Sequence, residues 1–151
     1  MQQPNAALTG RRCWNVSGNG SSDPADPCEA FDECGGSICS NALVEHLREQ
    51  GVQMPMSVVA RWIAERDVVV VRRAALTLLP RFQFDRHATV PSEAARRVVL
   101  ELRDVLDDAG LAEWFSMPNI WLAGSRPAHA LALDPHEVFE AARADRFVLR
   151  G

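Results

Sequence analysis

The apolar positions of this chain fall into short amphipathic repeats that begin near residue 40. Leu43, Val44 and Leu47 share one face of a helical period, and Gly51 is placed to end that helix. Beyond the Met54-Pro55 turn, Val58, Val59, Trp62 and Ile63 repeat at helical spacing, with Ser57 as the N-cap. Val68 to Val71 is an unbroken β-branched run and predicts a strand. Arg72-Arg73-Ala74-Ala75 predicts a turn and Leu76 to Leu79 the returning strand. Phe82-Gln83-Phe84 alternates again after Pro80.

The second half reads as helices. Pro91-Ser92 opens what the pattern makes the longest one, with Val98, Leu102, Val105 and Ala109 as its stripe and Gly110 as its stop. A short helix from Leu111 to Ser116 carries Trp114 and Phe115, and Met117 to Ser125 reads as a loop. Pro127 fits the first turn of the next helix. Asp134-Pro135-His136-Glu137 is an Asp version of the capping box and starts a last helix, with Val138, Phe139, Ala142 and Phe147 facing inward. The expected fold is mainly α with a small β-hairpin. A helix-turn-helix and hairpin segment over 41–90 would precede a helical bundle over 91–151.

Residues 1–40 differ. Ser17-Gly18-Asn19-Gly20-Ser21-Ser22-Asp23-Pro24 has little apolar surface to offset its ordering entropy, so this segment is expected to be disordered or loosely ordered. It holds all four cysteines, Cys13, Cys28, Cys34 and Cys39. None forms a C-x-x-C pair; spectator thiols, a tetrahedral metal site and disulfides all stay open, with no metal site assigned. The start of the chain lacks the basic-then-apolar order of a signal peptide, and no stretch is long and apolar enough for a membrane span, so a cytoplasmic protein is expected.

Catalytic signatures are missing from the sequence: there is no H-E-x-x-H, no G-x-S-x-G and no Walker loop. The four histidines are scattered, and Asp107-Asp108 reads as a solvated helix end. No cofactor is expected, and the chain reads as a binder, not an enzyme. The net charge of −4 excludes a globally basic nucleic-acid binder, so DNA contact would need a local patch. The order of helices and hairpin over 41–86 matches a winged helix-turn-helix module. Arg61, Arg66, Arg72 and Arg73 fall where such modules meet phosphates.

The segment Trp114-Phe115-Ser116-Met117-Pro118-Asn119-Ile120-Trp121-Leu122-Ala123-Gly124-Ser125-Arg126-Pro127 resembles the toxin-binding domain of the Xre/MbcA/ParS antitoxins. That family typically reads Trp, a few residues, Pro-Asn-Pro-x-Leu-Gly-Gly-Arg-Thr-Pro-Leu, then two helices. Pro118, Asn119, Leu122, Gly124, Pro127 and Leu131 stand here in the same order, and Ala123 replaces the first Gly. Leu79-Pro80-Arg81-Phe82-Gln83-Phe84-Asp85 is similar to the segment that precedes this domain, so the resemblance covers roughly 52–150. It implies a partner, a RES-domain toxin that consumes NAD, whose active-site entrance the C-terminal end would cover. Trp121, Leu122, Gly124, Arg126, Arg146, Arg150 and Gly151 would make the contact. Operator DNA, through which the protein would regulate its own operon, and a second copy of the chain stand as further partners. A stand-alone DNA-binding regulator is the alternative.

Overall fold

The computed structural model describes residues 27–151. In chain order these form α1 (Pro27–Ala30), β1 (Ser37–Cys39), α2 (Ser40–Glu49), α3 (Pro55–Ala64), β2 (Val71–Arg73) and β3 (Leu76–Pro80). Then come α4 (Glu93–Leu102), α5 (Asp108–Ser116), α6 (Pro127–Ala130) and α7 (Pro135–Arg150), with single 3-10 turns at Asp32–Cys34, Arg81–Gln83 and Ile120–Leu122. The fold is mainly α with a small antiparallel sheet.

The sheet order is β1-β3-β2. Registers Ile38↔Leu79, Cys39↔Leu78 and Val71↔Leu78 give it two apolar faces. Alternation along each strand sends successive side chains to opposite sides. Cys39, Leu78 and Val71 therefore join the core built by α4 to α7, whereas Ile38 and Leu79 join the core of α2 and α3. The sheet is the shared wall of two cores, and the valine run feeds both: Val69 and Val71 on one side, Val68 and Val70 on the other.

Several expectations are corrected. The stretch before residue 40 is structured from Pro27 on, and its Phe31 is fully buried and stacks on Phe82 at 5.4 Å. A lone aromatic in a polar segment carries no periodicity, so only the tertiary contact exposes its role. Cys13 and the Gly/Ser run lie outside the described residues. α3 starts at Pro55 behind Met54, so Ser57 is inside the helix and caps nothing. Only Ala74 and Ala75 form the hairpin turn; Arg72 and Arg73 belong to β2.

The valine run is not a strand before Val71. Its backbone is satisfied by a side chain instead. Gln83 is 1% exposed; its Oε1 accepts from the Val69 N–H at 2.7 Å, and its Nε2 donates to the carbonyls of Val69 at 2.9 Å and Pro80 at 3.0 Å. The 3-10 turn that replaces the expected Phe82-Gln83-Phe84 alternation aims this amide inward.

The long helix expected from Pro91 to Gly110 is two helices. α4 ends at Leu102, and Asp107 caps α5 by accepting from the Gly110 N–H at 2.8 Å. The Asp107-Asp108 pair thus sits at a helix start, the favourable end of the dipole. Arg66, in the left-handed region at φ 56°, donates to the Arg103 carbonyl at 2.6 Å and the Leu106 carbonyl at 2.7 Å. It thereby satisfies carbonyls released where α4 stops. Beside it, buried Asp67 accepts from Arg103 at 2.9 Å, with Arg96 3.4 Å away. The longest helix is α7, whose Asp134 cap accepts from the Glu137 N–H at 3.0 Å, and it packs along α4.

Candidate functional site

The loop after α5 is folded around Asn119. Its side-chain oxygen accepts from the Trp121 N–H at 2.9 Å, and its backbone N–H donates to Ser125 at 3.0 Å. Its carbonyl receives Leu122 at 3.1 Å and Gly124 at 2.9 Å. This is the physical content of the Pro-Asn signature: an Asx turn that starts a tight 3-10 turn. The loop closes through Ala123 at φ 52° and Gly124 at φ 82°, both left-handed. An L-residue with a Cβ is strained there, and Gly is not. We expect Ala123→Gly to raise stability by about 0.5–1 kcal/mol despite the greater freedom of glycine in the unfolded chain. Thermal unfolding followed by circular dichroism checks this; an unchanged or lower midpoint would contradict it.

One carboxylate organises the site. Asp145 on α7 accepts from the Trp114 indole at 2.7 Å and the Asn119 amide at 2.8 Å through one oxygen. Its other oxygen accepts the Trp121 indole at 2.8 Å. Charge-assisted bonds of this kind are about twice as strong as neutral ones. Trp121 is thereby held by both its backbone and its ring nitrogen while its side chain stays at the surface, 49% exposed. Ile120 beside it is 82% exposed, and Met117 is exposed at the start of the loop. One helical turn beyond Asp145, Val148 and Leu149 are exposed as well, and so is Phe147, expected to face inward. Six of the ten exposed large apolar side chains among the described residues thus lie on this loop and the last helical turn.

The expected contact residues separate into two groups. Trp121, Gly124, Arg150 and Gly151 are exposed on this end of the molecule. Leu122 is 4% exposed and sits in the core, so it anchors the loop from beneath. Arg146 bonds Glu101 at 3.0 Å and lies 3.9 Å from Asp104, which ties α7 to α4. Arg126 reaches the Ala30 carbonyl and Glu33, both at 3.5 Å. Asp145 itself was not singled out in the sequence. The signal was present: Val138, Ala141 and Ala142 form the buried stripe of α7, and Asp145 continues it. A carboxylate on an apolar stripe needs donors, and the two tryptophans supply them.

Of the DNA-contact candidates, Arg66, Arg72 and Arg73 line one cleft beside Asp107 and Asp108. Arg61 is exposed on α3. Arg66 is spent on α4 and on Asp108 at 3.0 Å, and Arg72 lies 3.7 Å from the same Asp108. Arg73 is exposed on β2.

Trp114 and Phe115 pack edge to face at 5.0 Å, and Phe115 is fully buried. Cys34 and Cys39 are thiols. Burial pushes the Cys34 thiol up, and Glu33 adds to this against an opposing pull from Arg126. A thiol raised in this way is a poor nucleophile. At neutral pH, Cys34 should react with a disulfide reagent more slowly than a free cysteine peptide; an equal rate would show that its burial is not felt. Among the described residues no group of three or more His, Cys, Asp or Glu is placed to hold a metal ion, and no helix is long and apolar enough to cross a membrane.

Set against family models, curated proteins and solved structures, the chain matches none.

Proposed function

We propose that this protein acts by docking, as an antitoxin-type inhibitor in the cytoplasm, with the Trp121 loop and the last turn of α7 as the contact. The observation that carries the reading is the Asp145-held Trp121 indole, displayed beside exposed Ile120, Val148 and Leu149. Tryptophan is enriched among the residues that dominate binding energy. A side chain already fixed in place loses less entropy on association. The resemblance supplies the partner: a RES-type, NAD-consuming toxin, occluded sterically at its active-site entrance, with Arg150 and Gly151 at the reaching tip. No reaction is assigned to the chain.

The test is size-exclusion chromatography of the protein mixed with the product of the gene adjacent to its own. A co-eluting complex that abolishes NAD consumption supports the reading. A RES-type neighbour that elutes separately and stays active overturns it.

A second reading has one observation in its favour. Two helices followed by a hairpin, with β1 pairing β3 in the order β1-β3-β2, follow the element order expected of a winged helix-turn-helix module, which supports this reading. In that reading Arg61, Arg72 and Arg73 face operator DNA. Binding would weaken steeply with salt, and Arg72→Ala would reduce it for every sequence alike.

A further inference from the structure

Two cavities, of about 520 and 560 Å³, share Ala94 and Leu133 and so form one groove. It runs from Cys34, in the 3-10 turn after α1, past the end of α6 to the first turns of α4 and α7. Its floor is apolar. Phe84, Ala128 and Leu131 are buried members of the two cores, and Phe82 beside them stacks on Phe31. Leu133, on the shared edge, is 76% exposed.

The charged lining is mostly acidic. Glu33, Glu93 and Asp134 stand against Arg97, with His129 and His136 counted as neutral. The Arg97 guanidinium lies over the Phe139 ring, 4.4 Å from its centroid. Asp134 caps α7. The Glu33 carboxylate is 80% exposed and 3.5 Å from Arg126, a weak surface pair. Even with Arg126 counted, carboxylates outnumber guanidiniums. Glu29 and Asp32, exposed on the way in from Pro27, add to the excess. A groove of this kind favours a segment that joins a large apolar side chain to positive charge, and it repels acidic segments and nucleic acid.

One stretch of this chain has that composition and joins the fold close by. Residues 1–26 meet the described structure at Pro27, six residues before Glu33, so the groove begins within about 20 Å of the junction. The basic residues of 1–26 are Arg11 and Arg12 and their aromatic residue is Trp14, all within Arg11-Arg12-Cys13-Trp14-Asn15-Val16. Twelve residues separate Trp14 from Pro27, and a Gly/Ser-rich tether of that length spans about 20 Å on average. Reach and distance therefore match. Such a tether gives an effective concentration on the order of millimolar, an advantage that a segment of another molecule lacks.

We propose that residues 11–16 of this chain dock in the groove formed by the Asp32–Cys34 turn, α6 and the starts of α4 and α7. The Trp14 indole would lie over Phe82, Phe84 and Leu131, and Arg11 and Arg12 would meet Glu33 and Glu93.

Cys34 lines the same groove, so docking shields its thiol. The test is alkylation of the full chain with iodoacetamide, the rate at each cysteine read by peptide mass spectrometry. Cys39, 4% exposed, reports on the fold at large. Trp14→Ala is expected to speed alkylation of Cys34 by about fivefold or more, because the aromatic anchor is gone, and to leave Cys39 unchanged. The double variant Arg11→Glu/Arg12→Glu is expected to do the same by charge repulsion. An unchanged Cys34 rate in either variant overturns the proposal. So does an equal rise at Cys39, which would mean that Trp14 supports the fold as a whole. Shielding of Cys34 that is lost on dilution of the protein overturns it in favour of the same segment from a second copy.

Discussion

Replacing Gln83 with leucine is expected to destabilise the protein by about 3–5 kcal/mol, although leucine matches glutamine in size and suits a buried site. The substitution removes the acceptor of the Val69 N–H and the donor to the carbonyls of Val69 and Pro80. A buried backbone group left without a partner costs about 1–3 kcal/mol, and the groups here lie at a position 1% exposed to water. The gain from burying an apolar side chain offsets part of this and does not reverse it. Native stability is usually about 5–15 kcal/mol, so the variant should sit close to its unfolding threshold. Urea denaturation reads the result as a lower midpoint with an unchanged slope. Gln83→Glu is the companion variant: it keeps an acceptor for the Val69 N–H and loses both donated bonds, and it should also destabilise. A midpoint for Gln83→Leu close to that of the unaltered protein would show that the valine run does not depend on this amide.

Trp121→Ala is expected to separate binding from folding. The side chain is half exposed and makes one side-chain hydrogen bond, to Asp145, so its loss should cost about 1 kcal/mol of stability. If the Trp121 loop is the docking anchor, the same change should weaken partner binding by about 2 kcal/mol or more, roughly thirtyfold. Asp145→Ala should do both: it leaves Trp114, Trp121 and Asn119 without their shared acceptor, so stability falls and the anchor loses its fixed orientation. The double variant then discriminates. If Asp145 serves binding by holding Trp121, the two binding losses will not add, because the second removes a support for a side chain already gone. Additive losses would mean that Asp145 touches the partner independently. Unchanged partner affinity in Trp121→Ala would remove this surface from the proposed contact.

The two variants also mark how far a sequence can be read. Asn119 and Pro118 are legible because an Asx turn needs only neighbours along the chain. The Asp134 and Ser92 caps are legible for the same reason: each bonds a backbone N–H three residues on. Gln83 and Asp145 are not legible. Their partners lie 14 residues away for Val69 and 24 to 31 residues away for the two indoles, and no local period encodes such distances. The break between α4 and α5 belongs to the same class. The stripe Val98, Leu102, Val105 and Ala109 continues a helical period, but Arg66 and Asp67 arrive from the preceding loop to hold the end of α4.

What the sequence alone determined was the set of local decisions: most of the helical segments, the place where the hairpin turns, the caps of α4 and α7, and a fold that is mainly α with a small hairpin. These follow from interactions within a few residues, where backbone preference and side-chain period act directly. The tertiary structure decided what those segments became for one another. It made a third strand of Ser37–Cys39, buried Phe31, satisfied the valine run with a glutamine side chain and held a tryptophan at the surface with a carboxylate from another helix. The physical reason is that a buried polar group must find a partner wherever the chain brings one, and only the packed core determines which distant residue that is.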